Sequence, residues 1–283
     1  IPLVASDGRI VGVAAKKVQT SDWQDAVDEV AQLVEQARQS KDWAFKAADR
    51  RHKRGSDFPA EACGISYGKG QPKPMRLSGG RAGLMAKLLQ KPCFRRIANY
   101  QSATYAAFSP RNYRYYFDGM KRLHAALPEL EPNFPHSVFA CLTINFGPRT
   151  RTHVHTDSRN TPHGMCAITS CGKFNYKLGG HLVLWDLKLV IEFPTGCTIL
   201  IPSALLLHSN TSVQPDETRY SITQYTAGGI WRWLDGGGQA EEQIKLGDPV
   251  QFKRIQERKA VRREEVLKMF ATLDEIEASL VPK

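Results

Sequence analysis

The sequence predicts an α+β protein in which a β-rich core is flanked by helices at both ends. Apolar residues recur at helical spacing within residues 20–50 and again after residue 240. Between them, from residue 137 onward, short strand-like runs are separated by Pro and Gly, which is typical of a barrel or a sandwich. The 283 residues are enough to bury a sizeable core, as one large domain or two small ones.

The first predicted helix covers residues 20–50, and Ser21 or Thr20 is its candidate cap. Its apolar stripe consists of Trp23, Ala26, Val27, Val30, Leu33, Val34 and Ala37. Residues 64–80 are rich in Gly, Pro and Lys and are expected to form a loop. Short helices are expected around residues 81–90 and 111–127.

The β-rich part of the chain contains several apolar stretches bounded by turn residues. These stretches are SVFACLTINF, LGGHLVLWDLKLVIEF, CTILIP and RYSITQYTA. After residue 240 an apolar stripe runs among Lys, Arg and Glu, which predicts a helix that packs on the core; a partner-binding helix is the alternative. The stripe consists of Phe252, Ile255, Val261, Val266, Leu267, Phe270, Leu273, Ile276 and Leu280.

Positive charge is in excess, because 39 Lys and Arg residues stand against 28 Asp and Glu, a formal net charge of +11. This excess favours a polyanionic partner such as nucleic acid, although many basic proteins bind none. The segment RRHKRG at residues 50–55 is a phosphate contact, a nuclear address or a solvated charged turn. Arg and Tyr also occur together in FRRIANYQ and PRNYRYYF, where a packed helix with a charged rim is favoured over base stacking.

The cysteines form no CxxC pair, which indicates reduced thiols of an intracellular protein and argues against a structural zinc site. They are Cys63, Cys93, Cys141, Cys166, Cys171 and Cys197. No apolar run approaches the roughly 20 residues of a membrane span, and no secretory signal is visible. We therefore expect no membrane partner, and no obligate protein partner is evident.

The stretch THVHTDSRN brings two histidines and an aspartate into one short segment. Alternate side chains of a strand share a face, so His155 and Asp157 would project together, with His153 as the substitute for His155. An iron site of the two-histidine, one-carboxylate type needs a third ligand, and His208 after the run IPSALLL is the candidate. Each residue taken alone has an ordinary structural role as its alternative, but the ordered set is more specific.

An arginine follows the third candidate ligand at the start of another strand-like run, ETRYSITQY. The guanidinium of Arg219 has a forked geometry that suits a carboxylate. An H-x-D pair, a His about 50 residues later and an Arg on the next strand match the arrangement in 2-oxoglutarate and iron(II) dioxygenases. In that chemistry the iron binds the 2-oxo acid through its keto and carboxylate oxygens, and the Arg holds the far carboxylate.

Longer motifs carry a family resemblance. The run HVHTDSRNTPHG resembles the H-x-H-x-D-x-x-N pattern, followed by Gly, of the ten-eleven translocation (TET) and J-binding-protein (JBP) dioxygenases of nucleic-acid bases. GGHLVLWDLKL resembles their strand that places a His near 2-oxoglutarate, and RYSITQY resembles their R-x-S-x-x-x-Y. Over about residues 64–236 the chain looks most similar to the TET/JBP-like proteins multiplied in mushroom-forming fungi; the wider family is matched over the β core alone.

The resemblance implies a double-stranded β-helix, which is a jelly-roll or cupin-like core, with flanking N- and C-terminal helices. It divides the chain into three regions. Residues 1–63 are an N-terminal helical and basic region packed on the core, residues 64–240 are the dioxygenase domain with its β core from about residue 137, and residues 241–283 are a C-terminal helix.

The resemblance also assigns the cofactors and the residues that hold them. His155, Asp157 and His208 are implied to bind Fe(II). Arg219 and Ser221 are implied to hold the distal carboxylate of 2-oxoglutarate, the co-substrate that is consumed together with O2.

Further roles concern the other end of the co-substrate and the target base. His181 is implied to contact the other end of 2-oxoglutarate, and we expect Asn145, ten residues before His155 in the sequence, to serve there too. Asn160 is implied to contact the target base and Tyr225 to stack on it.

The chain departs from the animal enzymes at the position two residues beyond this Tyr. Those enzymes have a His there that reads the cytosine edge, whereas this chain has Ala227. The Cys-rich zinc region that precedes the animal catalytic core is also missing, so DNA must be held differently. The basic loops at residues 50–55 and 64–81, with Tyr67, are the candidates.

The implied function is oxidation of a methylated base, 5-methylcytosine and/or N6-methyladenine, in DNA by a nuclear enzyme. Because a methyl group buried in a duplex cannot reach iron, the nucleotide is expected to flip out. A hydroxylase of a protein or small molecule on the same barrel is one alternative, and a non-catalytic basic DNA-binding β-barrel is another. The net charge and the H-x-H-x-D-x-x-N match argue against the first, and the full ligand set with Arg219 argues against the second.

Overall fold

Two antiparallel sheets of unequal size form the β core of the computed structural model, which describes residues 1–55, 57–68 and 70–280, without the side chains of 258–263 and 280. The strands are β1 Pro2–Val4, β2 Ile10–Ala15, β3 Ala60–Ser66, β4 Met75–Arg76, β5 Cys141–Asn145, β6 Cys166–Cys171, β7 Leu182–Leu184, β8 Leu189–Ile191, β9 Thr198–Ile201, β10 His208–Asn210 and β11 Tyr220–Tyr225. The larger sheet has the order β1-β2-β9-β6-β11-β5-β3-β4, and the smaller sheet has the order β10-β7-β8.

Helices flank the sheets at both ends of the chain, which confirms the predicted α+β class. They are α1 Ser21–Gln39, α2 Ala82–Leu89, α3 Pro92–Phe108, α4 Pro110–Ala126, α5 Gly228–Asp235, α6 Glu241–Gly247, α7 Pro249–Lys268 and α8 Leu273–Leu280, with a 3-10 turn at Ala47–Arg50. No helix within the described ranges is long and apolar enough to cross a membrane.

One face of the larger sheet is covered by α1 and α3. Apolar side chains of both helices, among them Trp23 and Ile97, pack with Ile222 of β11 in one buried cluster. The buried side chain of Gln101 on α3 donates hydrogen bonds to Thr169 Oγ1 at 2.9 Å and to the Ile222 carbonyl at 3.0 Å. Because strand side chains alternate, the neighbours of Ile222 on β11 face the opposite side of the sheet, toward β7 and β10.

The predicted first helix is shorter than residues 20–50. It ends at Gln39 because its buried stripe stops at Ala37. A turn follows in which Ala44 has a left-handed backbone with φ of 43°. The rest of the predicted helix is reduced to the 3-10 turn.

The predicted loop at residues 64–80 is partly strand, because Gly64 lies inside β3 and Met75–Arg76 form β4. Gly64 has φ of 113°, and a Cβ there would lie 2.2 Å from the carbonyl oxygen of Ala140 on the neighbouring segment. The glycine therefore marks a close approach between two strands rather than a turn. The expected boundary at residues 63 and 64 falls inside β3. Lys69 lies outside the described residues.

The predicted C-terminal helix is three helices, because two start signals interrupt the stripe. Asp248 caps α7 by accepting a 2.8 Å hydrogen bond from the Gln251 backbone nitrogen. Thr272 and Glu275 form reciprocal side-chain to backbone bonds at the start of α8. Of the predicted stripe, the side chains of Val261 and Leu280 lie outside the described residues.

The sequence pattern predicts no strand in the first 15 residues, yet these residues extend the larger sheet. β2 pairs with β9, and β1 pairs with β2. The C-terminal segment closes on this hairpin, since the Ile10 nitrogen donates to the Ala271 carbonyl at 2.8 Å and the Leu273 nitrogen to the Gly8 carbonyl at 3.0 Å. The small, apolar run IVGVAA has no alternation that would have marked it as a half-buried strand.

Candidate active site

Three of the predicted ligands meet at one end of the β core. The ligand atoms of His155, Asp157 and His208 all lie within 4.8 Å of one another. Nε2 of His155 is 3.8 Å from Oδ1 of Asp157, and the two imidazole centroids are 4.3 Å apart. Among the described residues, this is the group of histidine, cysteine and carboxylate side chains that is arranged to hold a metal ion.

Backbone pairing produces this convergence. His155 and His208 lie opposite each other in an antiparallel bridge, and each donates a 3.0 Å hydrogen bond from its backbone nitrogen to the other's carbonyl. The backbone nitrogen of Asp157 donates to the Ser203 carbonyl at 2.8 Å. Residues that are far apart in the sequence are therefore held at fixed separation before any metal binds.

Both histidines are oriented by main-chain oxygens. Nδ1 of His155 lies 2.7 Å from the His153 carbonyl oxygen, and Nδ1 of His208 lies 2.8 Å from the Leu206 carbonyl oxygen. A carbonyl oxygen only accepts, so each Nδ1 carries the proton and each Nε2 keeps its lone pair for a metal. His153, the substitute ligand, thus contributes its carbonyl to the site and leaves the ligand position to His155.

The electrostatics also favour the metal-binding form of His155. Burial lowers the pKa of this imidazole, and the neighbouring His208 lowers it further. A neutral imidazole is the form that binds a divalent metal.

Arg219 is a buried cation in the same cavity. Arg219 is 3% exposed, and its Nη1 donates to the Thr150 carbonyl at 3.3 Å. Its Nε is buried and has no hydrogen-bond partner among the described residues. Burial lowers the pKa of the guanidinium to about 10, so it stays charged at neutral pH. No ion pair found within the described part of the chain involves it. Because a buried charge without a counter-charge is costly, this site is built for an anion.

Two polar groups complete the surroundings of this guanidinium. Ser221 on β11 lies opposite Asn145 on β5, and Nδ2 of Asn145 donates to Ser221 Oγ at 2.7 Å. The hydroxyl proton of Ser221 is thereby left to donate elsewhere. Oδ1 of Asn145 is buried and has no partner among the described residues.

One cavity between the two sheets joins these groups. It is lined by the three metal-binding side chains and by Arg219, Ser221 and Asn145. Apolar walls come from Leu182 of the smaller sheet and from Phe193. A ligand in this cavity would span the distance from the candidate metal centre to the buried guanidinium.

The other predicted contacts of the co-substrate and the base are placed differently. His181 does not line the cavity, because its Nε2 lies 2.8 Å from the Tyr176 carbonyl within the preceding loop. Asn160 follows Asp157 in a turn and donates from Nδ2 to Ser203 Oγ at 3.2 Å.

Tyr225 lies on the same face of β11 as Ser221, and Arg219 immediately precedes this strand. Its hydroxyl accepts a 3.2 Å hydrogen bond from Thr143 Oγ1, and burial raises its pKa. Tyr67 lies elsewhere, in a groove with Arg232 and Trp233 beside α5. The structure therefore brings Tyr225, but not Tyr67, toward the face that carries the cavity.

Ala227 is buried and pairs with Asn160 in a backbone bridge. The position thus supplies no polar side chain next to Tyr225. The counterpart of the base-reading His of the animal enzymes is therefore a buried apolar side chain.

Two features of the cavity were not expected from the sequence. Arg54, from the basic segment at residues 50–55, lines it beside the metal-binding residues. Asn210 accepts bonds from the nitrogen and hydroxyl of Thr152 at 2.9 and 2.8 Å and so fixes the segment that leads to His155. Neither position could be predicted from the sequence, because a charged run or a single Asn occurs on most protein surfaces.

The six cysteines remain unpaired, as the sequence predicts. Burial raises the pKa of Cys166, which lines the cavity, so its thiol is protonated at neutral pH. Cys166 does not belong to the group of ligand atoms that lie within 4.8 Å of one another, so the nitrogen and oxygen donors form the candidate binding set.

Comparisons with known proteins bear on the fold. No protein-family model matches the sequence, and no curated protein matches it. Among solved structures, NgTET1 in complex with 5mC DNA is similar over 80% of this chain and 75% of that chain, with 13% identity and a TM-score of 0.54. OsALKBH1 shares 12% identity over 76% of this chain and 96% of its own, with a TM-score of 0.42. A Pseudomonas putida prolyl-4-hydroxylase shares 13% identity over 76% and 91%, with a TM-score of 0.36.

The likeness to NgTET1, at 13% identity, shows a shared fold and does not by itself show a shared substrate. It agrees with the jelly-roll core that the family resemblance implies. The particular similarity to the group multiplied in mushroom-forming fungi stays a prediction. The chain therefore shares the fold of NgTET1. Its own cavity joins a candidate metal centre to a buried guanidinium.

Proposed function

We propose that the protein is an Fe(II)- and 2-oxoglutarate-dependent dioxygenase that oxidises a methylated base in DNA. One observation carries the enzymatic part: a two-histidine, one-carboxylate group and a buried, unpaired Arg219 face the same cavity. Neither feature alone requires this chemistry, but a dicarboxylate co-substrate needs both.

The donor set fits ferrous iron. The imidazole nitrogens of His155 and His208 and a carboxylate oxygen of Asp157 would hold the metal, the donor set of non-haem iron oxygenases. The main-chain bonds to Nδ1 of His155 and His208 fix which nitrogen binds. Asp157 supplies the anionic ligand.

The far end of the cavity fits a carboxylate. The Nε hydrogen of Arg219 and the hydroxyl hydrogen of Ser221 are both available to donate to the distal carboxylate of 2-oxoglutarate. Asn145 positions the Ser221 hydroxyl. Bound iron, with 2-oxoglutarate and O2, supplies the oxidant for a methyl C–H bond: one oxygen atom enters the methyl group, and the other enters the succinate that forms with carbon dioxide.

The DNA part of the proposal is supported by the net charge of +11 and by the likeness in fold to NgTET1. A target methyl group has to leave the duplex to enter the cavity, at an unstacking cost of a few kcal/mol. Tyr225 provides a ring for the flipped base to stack on, and Asn160 provides an amide at its edge.

The product depends on the base. Hydroxylation of 5-methylcytosine gives the hydroxymethyl base, whereas the hydroxymethyl product of N6-methyladenine loses formaldehyde and leaves adenine. Because Ala227 offers no base-reading side chain, both bases belong to the proposal. A nuclear location would follow from a DNA substrate and forms part of it.

The test is mass spectrometry of nucleosides after incubation with Fe(II), 2-oxoglutarate and duplexes that carry either methylated base. We expect oxidised or demethylated nucleosides and matching amounts of succinate. Succinate release that methylated DNA does not stimulate would point to a protein or small-molecule hydroxylase. DNA binding without succinate release would point to a non-catalytic binding protein.

A further inference from the structure

A basic turn that the proposed reaction does not use lies against the metal-binding segment. His52 and Gly55 pair across it, with backbone nitrogen to carbonyl distances of 2.9 and 3.1 Å. The carbonyl of Arg54 accepts a 2.7 Å hydrogen bond from the backbone nitrogen of His153. The turn is thereby tied to the residue two positions before the ligand His155.

Close packing also fixes the turn. Gly55 is buried, and a Cβ on it would lie 2.6 Å from the Phe58 ring and 3.0 Å from the Arg151 carbonyl oxygen. The ring nitrogen Nε2 of His52 lies 3.0 Å from the Phe58 carbonyl. The position of Arg54 is therefore set by its surroundings and is not that of a free surface side chain.

The side chain of Arg54 lines the cavity with His155 and Asp157. None of the ion pairs found in the described part of the chain involves it. The cavity thus has a second guanidinium in addition to Arg219.

A charge count separates the roles of the two guanidinium groups. With a divalent metal and doubly charged 2-oxoglutarate bound, the charges of the metal, Asp157, Arg219 and the co-substrate cancel. Arg54 is then left as one uncompensated positive charge in a partly buried site. Such a charge attracts one further anion. The co-substrate cannot be that anion, because its two negative charges are already balanced.

Three further cations lie close to Arg54 in the sequence. Arg50, Arg51 and Lys53 are exposed, and none takes part in an ion pair with another described residue. Exposed cations that neighbour a cavity-lining Arg54 in the sequence suit a polyanionic backbone that passes the cavity mouth.

We propose that Arg54 binds a phosphate of the nucleotide whose base enters the cavity. The inference rests on the proposed function, because it takes the substrate to be DNA. The forked guanidinium suits a phosphate, and contact with the target nucleotide would place the methyl group at the metal. Arg54 would thus be a substrate-positioning residue, distinct from the Arg219 that holds the co-substrate.

The test compares Arg54→Gln with Arg95→Gln, which removes the same charge from α3 on the other face of the larger sheet. Binding of a fluorescent duplex with one 5-methylcytosine is measured by anisotropy at several salt concentrations. For Arg54→Gln we expect affinity to fall by about tenfold and the slope of log affinity against log salt to decrease by about one. Arg95→Gln should change neither, and Arg54→Lys should recover the salt slope.

A second measurement separates the two anions. In Arg54→Gln the 2-oxoglutarate concentration for half-maximal succinate release should stay at the wild-type value. A raised 2-oxoglutarate requirement with unchanged DNA affinity would overturn the proposal and assign Arg54 to the co-substrate. Unchanged DNA affinity and salt slope would overturn it whatever happens to turnover.

Failure of the proposed function has a different signature. If the wild-type protein oxidises neither methylated base but Arg54→Gln still loses duplex affinity and salt slope, the enzymatic assignment fails and the phosphate contact stands. Thermal melts of each variant verify that the fold is retained.

Discussion

Asn145 and Ser221 face each other on neighbouring strands, and the Asn145 amide donates a 2.7 Å hydrogen bond to the Ser221 hydroxyl oxygen. This bond occupies a lone pair of the serine and directs its proton away from β5, toward the cavity. The serine is thus arranged as a donor beside Arg219. Under the proposed function, two donors of different strength would therefore bind the same carboxylate of 2-oxoglutarate.

Ser221→Ala removes the weaker donor. We expect the 2-oxoglutarate concentration for half-maximal succinate release to rise by about fivefold to thirtyfold, since one hydrogen bond to a charged group contributes about 1–2 kcal/mol. The maximal rate should change little. An unaltered 2-oxoglutarate requirement would remove Ser221 from the binding role.

Arg219→Ala removes the counter-charge and should raise the 2-oxoglutarate requirement by about a hundredfold or more. Arg219→Met offers a second readout, because it replaces a buried, unpaired charge with an apolar side chain. Without metal and 2-oxoglutarate, we expect it to unfold at the same or a higher temperature than wild type. A large drop in melting temperature would mean that Arg219 has a structural partner and is not reserved for an anion.

His155→Ala or Asp157→Ala should abolish succinate release while the melting profile stays close to that of the metal-free wild type. Each variant keeps the backbone bridge but loses one of three metal-binding atoms. His153→Ala is the matched control, because residue 153 contributes its carbonyl and should retain turnover. Undiminished turnover in either ligand variant would end the iron assignment.

Gly64→Ala should destabilise the fold by about 3 kcal/mol, because the new Cβ meets a carbonyl oxygen and the backbone is left-handed. Denaturant unfolding measures the change. Gly79→Ala is the control, since a Cβ there meets nothing within 4 Å, and it should be neutral or slightly stabilising. Equal stability of the two variants would contradict the close approach of β3 to Ala140.

Glu35 links α1 to β11 and should make stability depend on acid pH. Burial would raise its pKa, but the bonds from Arg38 and from the Tyr220 hydroxyl at 2.6 Å outweigh burial and hold the pKa below its ordinary value of 4.5. Stability from this carboxylate is therefore present above pH 4.5 and is lost as the pH falls through the lowered value. Glu35→Gln should be less stable than wild type at neutral pH, and the difference should shrink below about pH 4. A difference that stays constant over this range would show that the ionised form contributes nothing.

The sequence was informative where one residue type has one physical meaning. A stripe at helical spacing located α1, and the H-x-D spacing located two candidate metal ligands. The strand predicted for these two ligands is wrong, because His155 forms only an isolated bridge and Asp157 lies in an irregular segment. His208 is predicted because a two-histidine, one-carboxylate site needs a third ligand. Local features, and features that the chemistry requires, can therefore be recognised in a single sequence.

Other features arise from contacts between distant segments and leave no such mark. Gly64 lies in a segment whose Gly and Pro content predicts a loop, but a glycine is required there because the neighbouring strand approaches so closely. Tyr67 stands in a basic segment but packs beside α5, because the strand that precedes it fixes its direction. Arg54 reaches the cavity through a backbone bond to His153, which no spacing rule predicts.

Main-chain oxygens orient both imidazoles, each from the residue two positions earlier in the same segment. The identities of the side chains at positions 153 and 206 are therefore irrelevant to how the ligands are held. Mutational drift at these sites leaves the coordination geometry intact. Substitutions around His155 and His208 can therefore accumulate while these two histidines are retained.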